Sequence, residues 1–250
     1  GFITRFHIQS LLQVRDCVVA GVADMSEESA ESAAALAKSI GVGPNARAFE
    51  SNEALAADPE VDAIWVCAPN HARVEIMQAI RQGAQKREQP LKGICAEKPL
   101  ARTLAEALEV EALGKEIGAP TGYLEDIIFA PSLVRGREVL WRRGASNAGR
   151  PYLARAAEEH GGPHSAWFWQ KEIAGGGVLL DMMCHSIEAA RWLLTEPGAP
   201  RNSLTPVEVS ATCANLKWTQ PKYANDLSER FGGEVDWATD PTEDFARATV

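Results

Sequence analysis

The stretch DAIWVCAPNHARVEIMQAIRQG (residues 62–83) decides the fold class, because it joins a strand pattern to a helix pattern. Its first half is continuously apolar and breaks at a Pro-Asn pair. Its second half repeats apolar side chains at Val74, Met77 and Ile80 and ends on a glycine. A strand that is apolar on both faces is typical of a parallel sheet covered by helices. The stretch therefore predicts one strand–helix unit of such a sheet.

The segments on either side repeat this alternation. We expect strands in residues 17–24 and 92–101, a strand end with a short helix in residues 48–61, and helices in residues 26–41 and 103–118. Both of these helices close on a glycine, which is a common stop signal. The alternation predicts an α/β fold with a Rossmann doubly wound parallel sheet. We assign this domain to residues 1–120.

After residue 120 the pattern changes. Residues 132–144 predict a helix, residues 151–162 are strand-like, and the glycine-opened stretch AGGGVLLDMMCHSIEAARWLL (residues 174–194) predicts another helix. Alternating patterns in residues 206–218 and 245–250 predict further strands. Residues 121–250 are therefore expected to form an α+β domain with an open, largely antiparallel sheet.

Composition restricts the functional classes. The 250 residues are 46% hydrophobic and 24% charged, which is ordinary for a globular protein, and the formal net charge of −9 argues against a nucleic-acid partner. No apolar run is long enough to predict a membrane span. Five scattered cysteines without a C-x-x-C pair predict reduced thiols and a cytoplasmic setting. The chain has no initiator Met and both ends interrupt motifs, so we expect a fragment that lacks its first strand and its C-terminal end.

Three predicted strands end in residues that suit a nucleotide, since ligands bind beyond the carboxyl ends of parallel strands. Asp24 could accept hydrogen bonds from an adenosine ribose, and no arginine follows it at once, which favours NAD over NADP. A helix-capping Asp explains Asp24 equally well. The APNH loop (residues 68–71) could face a ligand or simply stop a strand. Lys98, in AEKP (residues 96–99), could bind both a nicotinamide ribose and a substrate hydroxyl, or be an exposed loop lysine.

Asp181 and His185 are four residues apart and are predicted to share one face of the glycine-opened helix. With Lys98 they would form an acid–base set. His185 would take a proton from a substrate hydroxyl, Asp181 would hold or relay it, and Lys98 would stabilise the alkoxide. The glycines would let backbone approach a ligand closely.

Two other interpretations of this helix remain open. His185 could be a core histidine that hydrogen-bonds to Asp181. A metal site could add His160 and His164, but the Gly-Gly-Pro run between these histidines keeps them from sharing a helix face, and we predict no metal.

These motifs together resemble the Gfo/Idh/MocA family of oxidoreductases (the glucose–fructose oxidoreductase and inositol dehydrogenase family). GFITRFH (residues 1–7) is similar to the tail of that family's G-x-G-x-x-G-x-x-H opening, and the ribose acid, P-N-H, E-K-P and glycine-triplet blocks follow in family order. The resemblance implies NAD-dependent hydride transfer to or from a secondary alcohol of a sugar, inositol or related polyol. It also implies a homo-oligomer formed through the sheet of the second domain.

The resemblance assigns roles to residues at matching positions. It makes Lys98, Asp181 and His185 catalytic, and adds Trp167 to these three as a substrate contact. The implied cofactor contacts are Gly1, Phe2, Ile3, Asp24, Met25, Cys67, Pro69, Asn70, His71, Glu97 and Lys98. The chain departs from the family pattern with Thr4 at the third glycine, Arg73 where many members have His, Met183 for Gly and Glu188 for Asp.

Two functional alternatives stay open at this point. A non-catalytic NAD-binding regulatory protein is supported by the bulk of Met183 near the expected substrate position. A redox-neutral, NAD-dependent glycosidase of the same fold would use the same residues without net NADH formation.

Overall fold

Strands and helices alternate through the first half of the chain, which confirms the predicted fold class. The structure is a computed structural model; it describes residues 1–237 and 241–250, which fall into two units, Gly1–Leu124 and Glu125–Val250. The strands of the first unit are β1 (Gly21–Ala23), β2 (Arg47–Phe49), β3 (Ala63–Val66), β4 (Gly93–Glu97) and β5 (Thr121–Leu124). Its helices are α1 (Phe2–Ser10), α2 (Glu27–Ser39), α3 (Asn52–Ala57), α4 (Arg73–Ala84) and α5 (Leu104–Ile117).

All strand pairs of the first unit are parallel. β1 pairs with β2, and β3, β4 and β5 form a three-stranded sheet in that order. Val66 and Ile94 from this sheet pack with Met77 and Ile80 of α4 and Leu113 of α5 in one buried cluster. The apolar repeat of residues 62–83 therefore becomes core packing, as the sequence predicts.

The predicted helix boundaries of the first unit rest on caps that the structure shows. The side chain of Ser26 accepts a hydrogen bond from the backbone N–H of Ser29, at the start of α2. Gly118 ends α5 with φ +77°, a left-handed conformation that glycine adopts without a steric penalty. The predicted strand at residues 17–24 is shorter than expected, since only Gly21–Ala23 pairs with β2.

The second unit contains six helices and two strands in the part that the structure describes. The helices are α6 (Pro131–Val139), α7 (Ala145–Ala148), α8 (Lys171–Ala174), α9 (Val178–Asp181), α10 (Met183–Leu194) and α11 (Pro221–Phe231), with a π-helical turn at Leu140–Gly144 between α6 and α7. β6 (Ser210–Ala214) and β7 (Phe245–Thr249) pair antiparallel, which confirms the predicted antiparallel character. Trp169, Trp237 and Leu227 pack in its buried aromatic cluster.

Two predictions for the second unit were wrong. Residues 151–162 form no strand, because most of their side chains are exposed and neither β6 nor β7 pairs with them. The glycine-opened stretch is not one helix, since a break at Met182 separates α9 from α10. Across the described residues, no helix has the length and apolar character that a membrane crossing requires.

Candidate active site

Glu97 is the centre of a buried polar cluster at the carboxyl end of β4. One carboxylate oxygen lies 2.6 Å from His7 Nε2 of α1, and the other accepts the backbone N–H of Lys98 at 3.0 Å. The side chain of Glu97 is 8% exposed and that of His7 is 23% exposed, so both hydrogen bonds of the Glu97 carboxylate are partly buried. The expected cofactor residue Glu97 therefore links α1 to the backbone of Lys98.

Arg73 forms hydrogen bonds to the backbone at the carboxyl ends of β3 and β4. Its guanidinium donates to the carbonyl oxygen of Ala68, after β3, at 3.0 Å and to the carbonyl oxygen of Glu97, at the end of β4. Arg73 is 2% exposed, and burial lowers its pKa. A histidine is shorter and has fewer donors than arginine, so this departure from the family pattern has a definite structural consequence.

The loop after β3 contains the other expected cofactor contacts of this region. Cys67 is half-buried, and burial raises the pKa of its thiol to about 11. Pro69 precedes the 3₁₀ turn Asn70–Ala72, in which Asn70 is buried and His71 is exposed.

The opening residues form a helix N-terminus that suits a phosphate group. Gly1 caps α1, Phe2 and Ile3 lie in its first turn, and no acidic side chain occupies that turn. Backbone N–H groups at such a terminus attract anions.

Asp24 follows β1, and its Oδ1 accepts the backbone N–H of Ser26 at 3.0 Å. The residue that caps α2 is Ser26, so the helix-capping interpretation of Asp24 is wrong: its bond forms a local turn and uses only one carboxylate oxygen. Met25 is fully exposed beside it.

His185 contacts an acid, Glu125, that the sequence analysis missed. Its Nδ1 lies 2.5 Å from Oε1 of Glu125, and Glu125 is 4% exposed. Burial on its own would raise the pKa of Glu125, but the hydrogen bond and charge of His185 outweigh it and hold that pKa below its ordinary value. An ionised carboxylate only accepts hydrogen bonds, so in the neutral imidazole Nδ1 carries the proton and Nε2 is the basic nitrogen, whereas in the imidazolium both nitrogens are protonated.

One feature of the sequence could have identified Glu125 as a candidate site residue. Glu125 follows β5 directly, and the carboxyl end of a parallel strand is where this fold binds ligands. Its partner His185 lies 60 residues further along the chain, so no local spacing connects the two.

Asp181 and His185 lie on either side of the break at Met182. Asp181 is the last residue of α9 and is half-buried, whereas His185 lies in the first turn of α10. The backbone N–H of His185 bonds to the carbonyl oxygen of Met182, three residues earlier. The prediction that Asp181 and His185 share one continuous helical face was wrong, because the break at Met182 places them in two separate helices.

The lack of a side chain at Gly177, in the glycine triplet, lets the backbone of Glu243 pack closely against it. A Cβ on Gly177 would lie 2.0 Å from the carbonyl oxygen of Glu243, and that oxygen accepts the N–H of Val178. The Glu243 carboxylate accepts the N–H groups of Gly177 at 2.9 Å and Leu179 at 3.1 Å. The close approach expected for a ligand is made at Gly177 by Glu243, which also caps α9.

The remaining expected site residues have ordinary surroundings. Trp167 is half-buried and stacks on Phe168, with ring centroids 3.8 Å apart. His160 contacts the sulfur of Met182 at 3.0 Å, and His164 packs edge-on against Phe168. Lys98 lies in the first unit, whereas Asp181, His185 and Trp167 lie in the second.

One group of metal-ligand type occurs among the residues described, and it differs from the set considered from the sequence. It consists of Glu125, Cys184 and His185, whose ligand atoms all lie within 4.8 Å of one another.

Comparison with known proteins gives matches to both halves of the chain. Residues 1–121 match the model of the Gfo/Idh/MocA oxidoreductase family, described as an NAD-binding Rossmann fold. Residues 144–250 match a Gfo/Idh/MocA C-terminal domain.

Individual proteins resemble the chain more distantly. It is 33% identical over 181 residues to a 1,5-anhydro-D-fructose reductase of Ensifer adhaerens, covering 71% of this chain and 50% of that protein. It is 30% identical over 133 residues to a D-xylose dehydrogenase of Paenarthrobacter nicotinovorans, covering 51% of this chain and 32% of that protein. The crystal structure of GenD2 from gentamicin A biosynthesis in complex with NAD superimposes with a TM-score of 0.68 at 25% identity, covering 87% of this chain and 56% of GenD2. The chain thus spans about half or less of these relatives.

Proposed function

Because the chain belongs to the Gfo/Idh/MocA oxidoreductase family, we propose that it transfers a hydride between NAD and a secondary alcohol of a sugar, inositol or related polyol. The observation that carries this proposal is the bond between His185 Nδ1 and buried Glu125, which leaves Nε2 as a base. The relatives described above, a sugar reductase and a sugar dehydrogenase, support the substrate class.

The first unit holds the cofactor in this proposal. The N-terminus of α1, with Gly1, Phe2 and Ile3, would bind the pyrophosphate, and Asp24 with Met25 would contact the adenosine half. Residues that follow β3 or lie at the end of β4 and just after it would hold the nicotinamide half; they are Cys67, Pro69, Asn70, His71, Glu97 and Lys98. When bound, NAD supplies the hydride acceptor for alcohol oxidation.

Chemistry on the alcohol is assigned to Lys98, Asp181 and His185. His185 removes the hydroxyl proton at Nε2 as the hydride leaves the carbon, and Glu125 stabilises the imidazolium that results. The ammonium of Lys98 donates to the oxygen and so stabilises its developing negative charge. Asp181 holds or relays the proton, and Trp167 contacts the sugar ring.

We also propose a role for each of the two domains and for the sheet of the second one. Residues 1–120 bind NAD, and residues 121–250 bind substrate and form a homo-oligomer through the β6–β7 sheet. The five cysteines are all free thiols, which supports a reducing, cytoplasmic setting. The net charge of −9 argues against nucleic acid as a partner, and we propose no membrane partner.

The test is a panel of sugars, inositols and polyols with NAD⁺, followed by NADH absorbance and by product analysis. We expect NADH formation with at least one substrate. His185→Ala should lower kcat by about 10²–10⁴-fold, the usual contribution of a general base, with NADH affinity unchanged. Conversion of a glycoside without NADH accumulation would replace the dehydrogenase with the redox-neutral glycosidase. Tight NADH binding without any conversion would support the regulatory alternative.

A further inference from the structure

Cys184 has no role in the proposed chemistry, yet it lies beside the two residues that provide the base. Sγ of Cys184, an imidazole nitrogen of His185 and a carboxylate oxygen of Glu125 all lie within 4.8 Å of one another. Glu125 is buried and the other two are half-buried. Sulfur, nitrogen and oxygen ligands are thus gathered at one point inside the second unit.

The carboxylate of Glu125 provides a second, independent observation. Its Oε1 is used by His185, but in the part of the chain that the structure describes its buried Oε2 accepts no hydrogen bond. A buried carboxylate oxygen without a donor is costly, about 1–3 kcal/mol or more for a charged group. A cation at this point would satisfy that oxygen.

The donor set selects the kind of cation. Thiolate and imidazole are poor ligands for Mg²⁺ and Ca²⁺, whereas Zn²⁺ binds cysteine, histidine and glutamate together and often keeps a fourth position for water. Tetrahedral Zn²⁺ with bonds of about 2.0–2.3 Å holds its ligand atoms roughly 3.3–3.8 Å apart. His185 and Glu125 would have to separate by only about 1 Å from their present 2.5 Å.

We propose that Glu125, Cys184 and His185 form an inhibitory zinc site. In the metal-free protein the imidazole proton resides on Nδ1, next to Glu125, and Nε2 is basic. Zn²⁺ at Nδ1 moves that proton to Nε2, so the nitrogen that accepts the substrate proton loses its lone pair. The Cys184 thiol releases its proton to solvent on binding, and the two anionic ligands balance the charge of the metal.

Metal binding is tested with Co²⁺ as the probe and the full chain without NAD. A thiolate ligand gives Co²⁺ a charge-transfer band in the near ultraviolet, and we expect this band to saturate and to be abolished by added Zn²⁺. Cys184→Ser should remove it, because serine can keep the hydrogen bond of Cys184 to the Asp181 carbonyl oxygen but provides no thiolate. Cys213→Ser, which removes an exposed thiol of β6, is the matched control and should keep the band. Absence of the band in the wild type, or its persistence in Cys184→Ser, overturns the proposal.

Inhibition is tested separately, since it rests on the proposed dehydrogenase activity whereas metal binding does not. Zn²⁺ should inhibit wild-type turnover, and Cys184→Ser should keep the uninhibited rate while raising the half-inhibitory Zn²⁺ concentration at least about tenfold. Equal inhibition of both proteins overturns the inhibitory role. A chain that binds Co²⁺ through Cys184 but turns over no substrate contradicts the dehydrogenase proposal and leaves the metal site standing.

Discussion

His185 acts as a base only if its proton stays on Nδ1, and the residue that fixes this is Glu125. The carboxylate only accepts hydrogen bonds, so it selects one of the two neutral imidazole tautomers. The sequence predicted His185 as the base, but it suggested Asp181 as the acidic partner of His185. Glu125 could not be found from spacing, because β5 brings it to His185 from a distant part of the chain.

Glu125→Gln should lower kcat by about 10²–10⁴-fold, because a glutamine amide can donate to Nδ1 and favour the wrong tautomer. NADH affinity should not change, since the expected cofactor contacts lie in the first unit. Steady-state kinetics and NADH fluorescence titration measure the two quantities. Asp126→Asn, at the exposed neighbouring position, is the control and should behave as wild type. An unchanged kcat in Glu125→Gln would show that Glu125 has no influence on the base.

Cys67 should resist alkylation at pH 8, because its pKa of about 11 leaves roughly one molecule in a thousand as the reactive thiolate. Exposed Cys213 provides the internal comparison. Mass spectrometry after brief iodoacetamide treatment should find Cys213 modified first. Modification of Cys67 should rise as the pH approaches 11. Equal labelling at pH 8 would contradict the effect assigned to burial.

At the scale of elements, the segment that carries Asp181 is organised by a tertiary contact. α9 has four residues and is too short to be stable alone, and the carboxylate and carbonyl of Glu243 bond to three N–H groups at its start. The break at Met182 was not predictable, since the apolar pattern runs unbroken from residue 178 to 194. By contrast, α2 and α5 were predictable because Ser26 and Gly118 mark their ends locally.

Gly177→Ala should lower the free energy of unfolding by about 3 kcal/mol or more, because its Cβ would lie 2.0 Å from the Glu243 carbonyl oxygen. Gly176→Ala is the matched control. Its Cβ would meet the Leu180 side chain at 3.3 Å, and we expect a loss below about 1 kcal/mol. Urea unfolding followed by tryptophan fluorescence compares them. Equal losses would show that the Gly177–Glu243 contact does not hold α9.

At the scale of the whole molecule, the β6–β7 sheet is largely exposed in the isolated chain. Most side chains of both strands are accessible, and Val209, next to β6, is 62% exposed. A two-stranded sheet is marginal by itself and its edges invite pairing. This exposure supports the homo-oligomer that the family resemblance implies.

Light scattering after size exclusion should find an oligomer of the wild-type chain, and Val209→Lys should shift it towards the monomer by placing a charge in the interface. NADH affinity should stay the same, because the cofactor residues are in the first unit. Glu208→Gln alters the neighbouring exposed position and should leave the assembly unchanged. A wild-type chain that is monomeric at every concentration tested would contradict the proposal.

The cap on α9 also determines when this helix can form during synthesis of the chain. Glu243 follows Gly177 by 66 residues, and a ribosome releases the chain from its N-terminus onwards. When Gly177 and Leu179 emerge, their partner has not yet been synthesised, so water must solvate their N–H groups. The acid of the proposed active site therefore reaches its final position only after Glu243 has emerged, long after the strands of the first unit have emerged.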